Sequence, residues 1–253
     1  MARKAMTPRL FVQAGLATGT VLPLPADQGH YLRTVLRLSA GAELALFNGR
    51  DGEWRATITA AGRAGVEVTP VCRTQEQAAG PDIWLLFAPL KRSPIDFVAQ
   101  KVTELGADVL WPVITRHTAV RRVNLRRLRS NTVEAAEQSG RLTVPEVREP
   151  TALADVLGQW PDGRVLFFCD ETGAGVPARH AFAAAAGRPA GLLVGPEGGF
   201  ARDELDAVGN RADVCRVSLG PRILRADTAA LAALACWQAL AGSWTDAPWA
   251  PKT

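Results

Sequence analysis

Two stretches of the chain place glycines where main chain could meet a ligand: LLVGPEGGF, Leu192–Phe200, and VSLGPRILRADTAALAAL, Val217–Leu234. Each runs an apolar, strand-like segment into a glycine turn, and the second turn leads into a run of strong helix formers. Glycine lacks a Cβ, so its backbone N–H and C=O groups can come close to a bound molecule. A third segment, FFCDETGAG, releases Asp170 and Glu171 into another glycine-bearing loop. The chemistry on offer is gripping by main chain, with few side chains suited to acid or base work. In GPEGGF the carboxylate of Glu197 sits between glycines, where it repels a phosphate and suits a ligand with amines, hydroxyls or positive charge. Ile223 and Leu224 lie between Arg222 and Arg225, and exposing them is costly unless they wall an apolar pocket that covers a purine ring. Asp227 precedes the helix formers and is expected to cap that helix.

The elements that must position these turns change character along the chain. Apolar and polar residues alternate through Leu44–Phe47, Trp54–Thr59 and Val66–Val71, with NGRDG and AAGRAG turns between them, which predicts a small antiparallel barrel over residues 1–72. Ahead of those strands, ADQGHYLRTVLRL has helical spacing. Asp27 is its expected N-cap, and Arg33 and Arg37 are stacked four apart on one face. A polar stretch, residues 73–81, reads as a linker. From 82 to 245, continuous apolar strands alternate with amphipathic helices, the signature of an α/β domain with a mainly parallel sheet covered on both faces. Ligands of such sheets sit beyond the carboxyl ends of the strands, and all three glycine loops fall there.

Charge and motif content exclude several classes. The first apolar strand, IWLLFAP, is followed by PLKRSPID and not by GxGxxG, and no Walker lysine pattern occurs, so neither a dinucleotide nor a nucleoside triphosphate site is read. Cys72, Cys169, Cys215 and Cys236 are far apart and have no partner at ligand spacing, which gives no metal site. The start of the chain lacks the apolar core of a secretory signal, and the apolar stretch near Ala229 to Ala241 is too short for a bilayer, so a cytoplasmic protein with no membrane partner is expected. A net charge of +4 permits a polyanionic partner, and RHTAVRRVNLRRLR, Arg116–Arg129, holds six arginines and no carboxylate. Arg9, Arg33, Arg37, Arg116, Arg121 and Arg122 are the candidate contacts to such a polyanion.

The segments HYLRTVLR, KRSPIDFVAQKVTELGA, EAAEQSGR, GPEGGF and SLGPRILRADTAAL together resemble the RsmE-type methyltransferases of the SPOUT superfamily, which act on uracil N3 of 16S ribosomal RNA. The five occur in the family's order and span nearly the whole chain from Gly29 onward. The resemblance implies a PUA-like N-terminal barrel for RNA, a SPOUT α/β domain with a deep trefoil knot, S-adenosylmethionine as cofactor, 16S rRNA or the small ribosomal subunit as partner, and a homodimer. It assigns the cofactor to Val194, Gly195, Glu197, Gly198, Gly199, Leu219, Gly220, Ile223 and Leu224. The family usually has a glutamate where this chain has Asp227. Uracil N3 is protonated at neutral pH, so a group must hold the anion as that proton leaves. Arg225 is the candidate catalytic residue, because a guanidinium can stabilise charge on the uracil oxygens but cannot serve as base. Asp170, Glu171 and His30 stay open as bases. Two other readings are a SPOUT ribose 2′-O-methyltransferase of rRNA or tRNA and a non-catalytic RNA-binding or ribosome-assembly module.

Overall fold

A computed structural model of the chain describes residues 7–90 and 92–244, so the first six residues of the barrel segment and residue 245 lie outside the described residues. The chain divides into two compact units. One holds the described residues up to Ala79 together with Ala136–Thr143, the other Gly80–Ala135 and the described residues from Val144 to 244.

In the first unit, strands β1 (Arg9–Phe11), β2 (Leu22–Pro23), β3 (Glu43–Phe47), β4 (Glu53–Gly62) and β5 (Gly65–Gln75) form one sheet in the order β1-β3-β4-β5-β2. Only the β1–β3 pair is parallel. Alternate residues Leu44, Leu46, Ala56, Ile58, Val66 and Val68 turn inward to one core, as a period of two demands. Register shifts along β4 and β5 add twist to the long hairpin. Strand β5 continues through Gln75, so the first residues of the expected linker are paired backbone.

The helix α1 (Ala26–His30) opens at Pro25. Asp27 lies inside its first turn, where its carboxylate accepts from the Gln28 N–H at 3.0 Å, and is not the N-cap. The helix then widens into a π turn, Tyr31–Val35, closed by the Leu36 N–H on the Tyr31 carbonyl at 3.0 Å. Arg37 follows with φ +55, past the end of the helix. It therefore does not stack on Arg33 as helical spacing suggested: the wide turn uses up the register, and the chain reverses through a left-handed residue.

The second unit carries β6 (Ile83–Phe87), α2 (Arg92–Glu104), β7 (Val109–Ile114), α3 (Leu125–Ser139), β8 (Glu146–Val147), β9 (Thr151–Ala152) and α4 (Leu153–Gly158). It continues with β10 (Val165–Cys169), β11 (Val176–Pro177), α5 (Ala178–Ala183), β12 (Ala190–Val194), α6 (Arg202–Gly209), β13 (Val214–Ser218) and α7 (Ala226–Leu240). The last turn of α3 groups with the first unit. The sheet runs β11-β13-β10-β12-β6-β7-β8, and all its described pairings are parallel. Both faces are buried. Ile83, Leu85, Phe87, Phe167, Leu192 and Val194 pack toward α2, α5 and α7, while Trp84, Leu86, Leu166, Phe168 and Leu193 pack toward α4 and α6. Burial on two sides is why these strands read as continuous apolar runs.

Candidate cofactor cavity and basic surfaces

Strands β13, β10 and β12 are neighbours in the sheet, so the turns that leave their carboxyl ends meet. They enclose a cavity of about 280 Å³. Val194, Gly195, Glu197 and Gly199 line it from the turn after β12, and Leu219, Gly220, Ile223 and Leu224 from the turn after β13. Cys169, Asp170, Glu171 and Gly173 supply the third wall from the loop after β10. Gly198 is the one cofactor candidate that does not line the cavity. It sits against His117, whose Nδ1 lies 3.0 Å from the Gly198 carbonyl oxygen and 3.2 Å from that of Gly199.

Local packing explains why these positions are glycine. Gly199 has φ +66, and a Cβ there would come within 2.5 Å of the Glu171 carboxylate. That carboxylate in turn accepts from the Phe200 N–H at 3.3 Å, tying the loop after β10 to the turn after β12. Phe200 is anchored edge-on to Phe168, with ring centroids 4.9 Å apart, and its ring occupies the space that a Cβ on Gly195 would need. The cavity wall is thus main chain because side chains behind it fill the room.

The walls are apolar around Val194, Leu219 and Leu224, and the Ile223 side chain stands 92% exposed at the mouth. Glu171 and Glu197 are exposed carboxylates of the lining. Asp170 is fully buried. One of its oxygens accepts from the Thr172 N–H at 2.8 Å, while the other lies 3.6 Å from the Arg216 guanidinium and has no hydrogen bond. Its oxygens are buried behind the wall, whereas Glu171 is exposed in the same loop. Burial, and then the nearby Glu171, push the Cys169 thiol up to about 12, so it stays protonated and is not a nucleophile. Arg225 is exposed and lines the cavity, and its carbonyl accepts from the Ala229 N–H at 2.8 Å as the N-cap position of α7. Asp227, expected to be that cap, lies inside the first turn and accepts from the Thr228 N–H at 2.7 Å. Its carboxylate still sits at the positive end of the helix dipole. Arg222 shares the rim.

The basic candidates divide. Arg33 is exposed, with its guanidinium on the Gly62 carbonyl at 2.7 Å, and Arg37 is exposed. Arg116 is exposed and paired with Asp203 at 2.5 Å, while its N–H donates to Glu204 at 2.9 Å. Arg121 and Arg122 are exposed, and Arg122 lines a second cavity of about 380 Å³ beside the Arg127–Asp96 ion pair of 2.6 Å. Arg9 does not fit an RNA surface. Its side chain is only 8% exposed, bonds Glu53 at 2.7 Å, and donates to the carbonyls of Ala136, Glu137 and Arg141 at 2.8, 3.0 and 2.9 Å. Those carbonyls belong to the last turn of α3 and the turn after it, so Arg9 is a structural clasp within the first unit.

Gly173 of the loop after β10 and Arg222 line the cavity with no role expected of them, and His117 carries no sequence signal for its contact with the turn after β12. Among the described residues no group of three or more His, Cys, Asp or Glu could hold a metal. No described helix is long and apolar enough to cross a membrane.

The family model described as RNA methyltransferase domain matches residues 77–238, and that described as RNA methyltransferase PUA domain matches residues 24–71. The chain belongs to the RNA methyltransferase family. Within this family it is 33% identical over 232 residues to ribosomal RNA small subunit methyltransferase E of Rickettsia conorii, covering 90% of this chain and 93% of the relative. The crystal structure of a ribosomal RNA small subunit methyltransferase E from Neisseria gonorrhoeae bound to S-adenosyl methionine is 29% identical, with a TM-score of 0.83, over 94% of this chain and 99% of that one. A methyltransferase of Legionella pneumophila, solved with bound cofactor SAM, is 28% identical at the same TM-score of 0.83, over 93% and 98% of the two chains. Both methyltransferase structures match the fold of this chain over nearly all of its length.

Proposed function

We propose that this chain transfers the methyl group of S-adenosylmethionine to N3 of a uridine in 16S ribosomal RNA of the small subunit. The observation that carries the reading is the meeting of three loops from adjacent strands on one cavity. Its chemistry fits the group: apolar walls for an adenine, main-chain donors and acceptors for its edge, and exposed carboxylates for a cationic sulfonium. Val194, Gly195, Glu197, Gly199, Leu219, Gly220, Ile223 and Leu224 would hold it, with Gly198 setting the turn against His117. When bound, the cofactor supplies an electrophilic methyl whose transfer neutralises its positive charge.

The protein's own work is alignment and exclusion of water. Ile223 and Leu224 stand at the mouth, and the Glu171 tie to the turn after β12 fixes the facing wall. Transfer would break the sulfur–methyl bond as the methyl–N3 bond forms, releasing the cofactor as its neutral thioether, and the N3 proton would pass to water or to one of the open bases. Arg225 on the rim holds the charge that develops on the uracil oxygens as that proton departs. The barrel, residues 1–72, and the basic loop carrying Arg116, Arg121 and Arg122 bind the RNA, joined by Arg33 and Arg37. Residues 82–245 carry out the transfer, 73–81 joining the two parts. The crossing of the chain from β12 over β10 to β13 supports the trefoil threading, and the family resemblance supports a homodimer acting in the cytoplasm.

The test is transfer of label from methyl-tritiated S-adenosylmethionine to small subunits from cells that lack the modification. N3 methylation blocks base pairing, so a new reverse-transcription stop at one uridine is expected. Label in a ribose, or none, overturns the assignment.

A further inference from the structure

On the first unit, the segment between α1 and β3 presents an arrangement that phosphate binding does not use. Leu32 is fully buried and Leu36 and Leu38 pack on the barrel core, which fixes the inner face of the wide turn. Its outer face carries Tyr31, 36% exposed, and Val35, 60% exposed, one turn apart. Tyr31 is the only tyrosine of the chain. Exposed cations lie on the same segment and on the hairpin tip to which it is bonded. Arg33 is anchored to the Gly62 carbonyl at the tip of the β4–β5 hairpin, the same tip that carries the exposed Arg63. Arg37 is held at φ +55, a left-handed conformation that a β-carbon disfavours, and π turns and such backbone outliers gather at functional positions.

We propose that Tyr31 is a stacking platform for one unpaired base of the RNA, with Val35 as its apolar margin and Arg33, Arg37 and Arg63 meeting the adjoining phosphates. The proposal rests on the reading of this chain as an RNA methyltransferase and adds to it the chemistry of one contact. Polyanion affinity alone would need only the arginines. An aromatic ring and an aliphatic side chain left in water among cations match a single-stranded nucleotide, whose base is flat and apolar and whose backbone is anionic. A duplex keeps its bases stacked inside and offers nothing to that ring.

The experiment measures binding of a short fluorescein-labelled single-stranded RNA to the full chain across a range of salt. Tyr31→Ala is expected to weaken binding about tenfold at every salt concentration, leaving the slope of log affinity against log salt unchanged, because stacking releases no counterions. Tyr31→Trp should bind as the native chain does. Arg33→Ala should flatten the slope by about 0.7. Native affinity in Tyr31→Ala overturns the proposal, as does a flattened slope in that variant or equal loss in Tyr31→Trp. A change of oligomeric state in place of RNA affinity also overturns it and makes the patch a protein interface. Ultraviolet cross-linking of the native chain needs no variant: the adduct should fall on the peptide holding Tyr31, and adducts confined to other peptides overturn the idea. Calorimetry of S-adenosylmethionine on the native chain tests the methyltransferase reading separately, since that binding does not involve Tyr31.

Discussion

At the carboxyl ends of β10, β12 and β13 the ligand-facing wall is largely main chain shaped by glycine turns, whereas the solvent face of the π turn on the barrel is built from side chains. The two surfaces differ in what a substitution does. A Cβ added to a glycine wall must displace something already packed behind it, as Phe200 is packed behind Gly195 and Glu171 behind Gly199. A side chain removed from Tyr31 or Arg33 leaves the backbone as it was. The first surface should fail outright and the second by degrees.

The sharpest way to break that contrast is Gly199→Val. It forces a β-branched residue to φ +66 beside the Glu171 carboxylate, and cofactor affinity by calorimetry should drop beyond measurement. RNA affinity should stay within about twofold, because the barrel contacts Arg33 and Arg37 are untouched; equal loss of both would merge the two surfaces. Next in size is Arg9→Ala, which leaves the buried Glu53 carboxylate without its cation and takes the guanidinium away from the carbonyls at the end of α3. A loss of about 3 kcal/mol in unfolding free energy is expected from denaturant titration. If stability holds and only RNA binding falls, Arg9 belongs to the RNA surface after all.

Arg225→Ala should lower kcat about a hundredfold with the cofactor dissociation constant little changed, and Arg225→Lys should recover only part. A pure loss of RNA affinity would move Arg225 to the phosphate contacts. The smallest effect concerns thiols. At pH 8 Cys169 should resist iodoacetamide in the native chain while the exposed Cys236 reacts, as read by mass spectrometry. The burial that raises the folded Cys169 value favours the native state fully below the ordinary thiol value of 9.0. That contribution is lost as pH climbs through about 12.

Much of the second unit could be read from the chain because a parallel sheet covered on both faces leaves a strong trace: apolar strands, helical spacing and glycine turns at a fixed edge. Eight of the nine residues assigned to the cofactor come together at one cavity, since the turns that hold them leave neighbouring strands. Gly198 stayed out because His117, distant in sequence, occupies its side of the turn. The errors share a cause. Arg9 looked like a surface cation because its partners, Glu53 and the end of α3, are far along the chain and leave no local mark. Arg37 looked helical because a π turn and an α-helix differ by one residue of register, which side-chain spacing cannot resolve over so short a segment. Asp27 and Asp227 both looked like caps and both lie within a first turn, where the same dipole favours them.

Hydrogen–deuterium exchange with and without S-adenosylmethionine tests the main-chain grip most directly, since it reads backbone amides one segment at a time. Protection should appear in 194–199 and 219–225, with the loop after β10 following, and amides of 26–37 on the barrel should not change. Protection spread over the barrel, or none at the turns, would contradict the account.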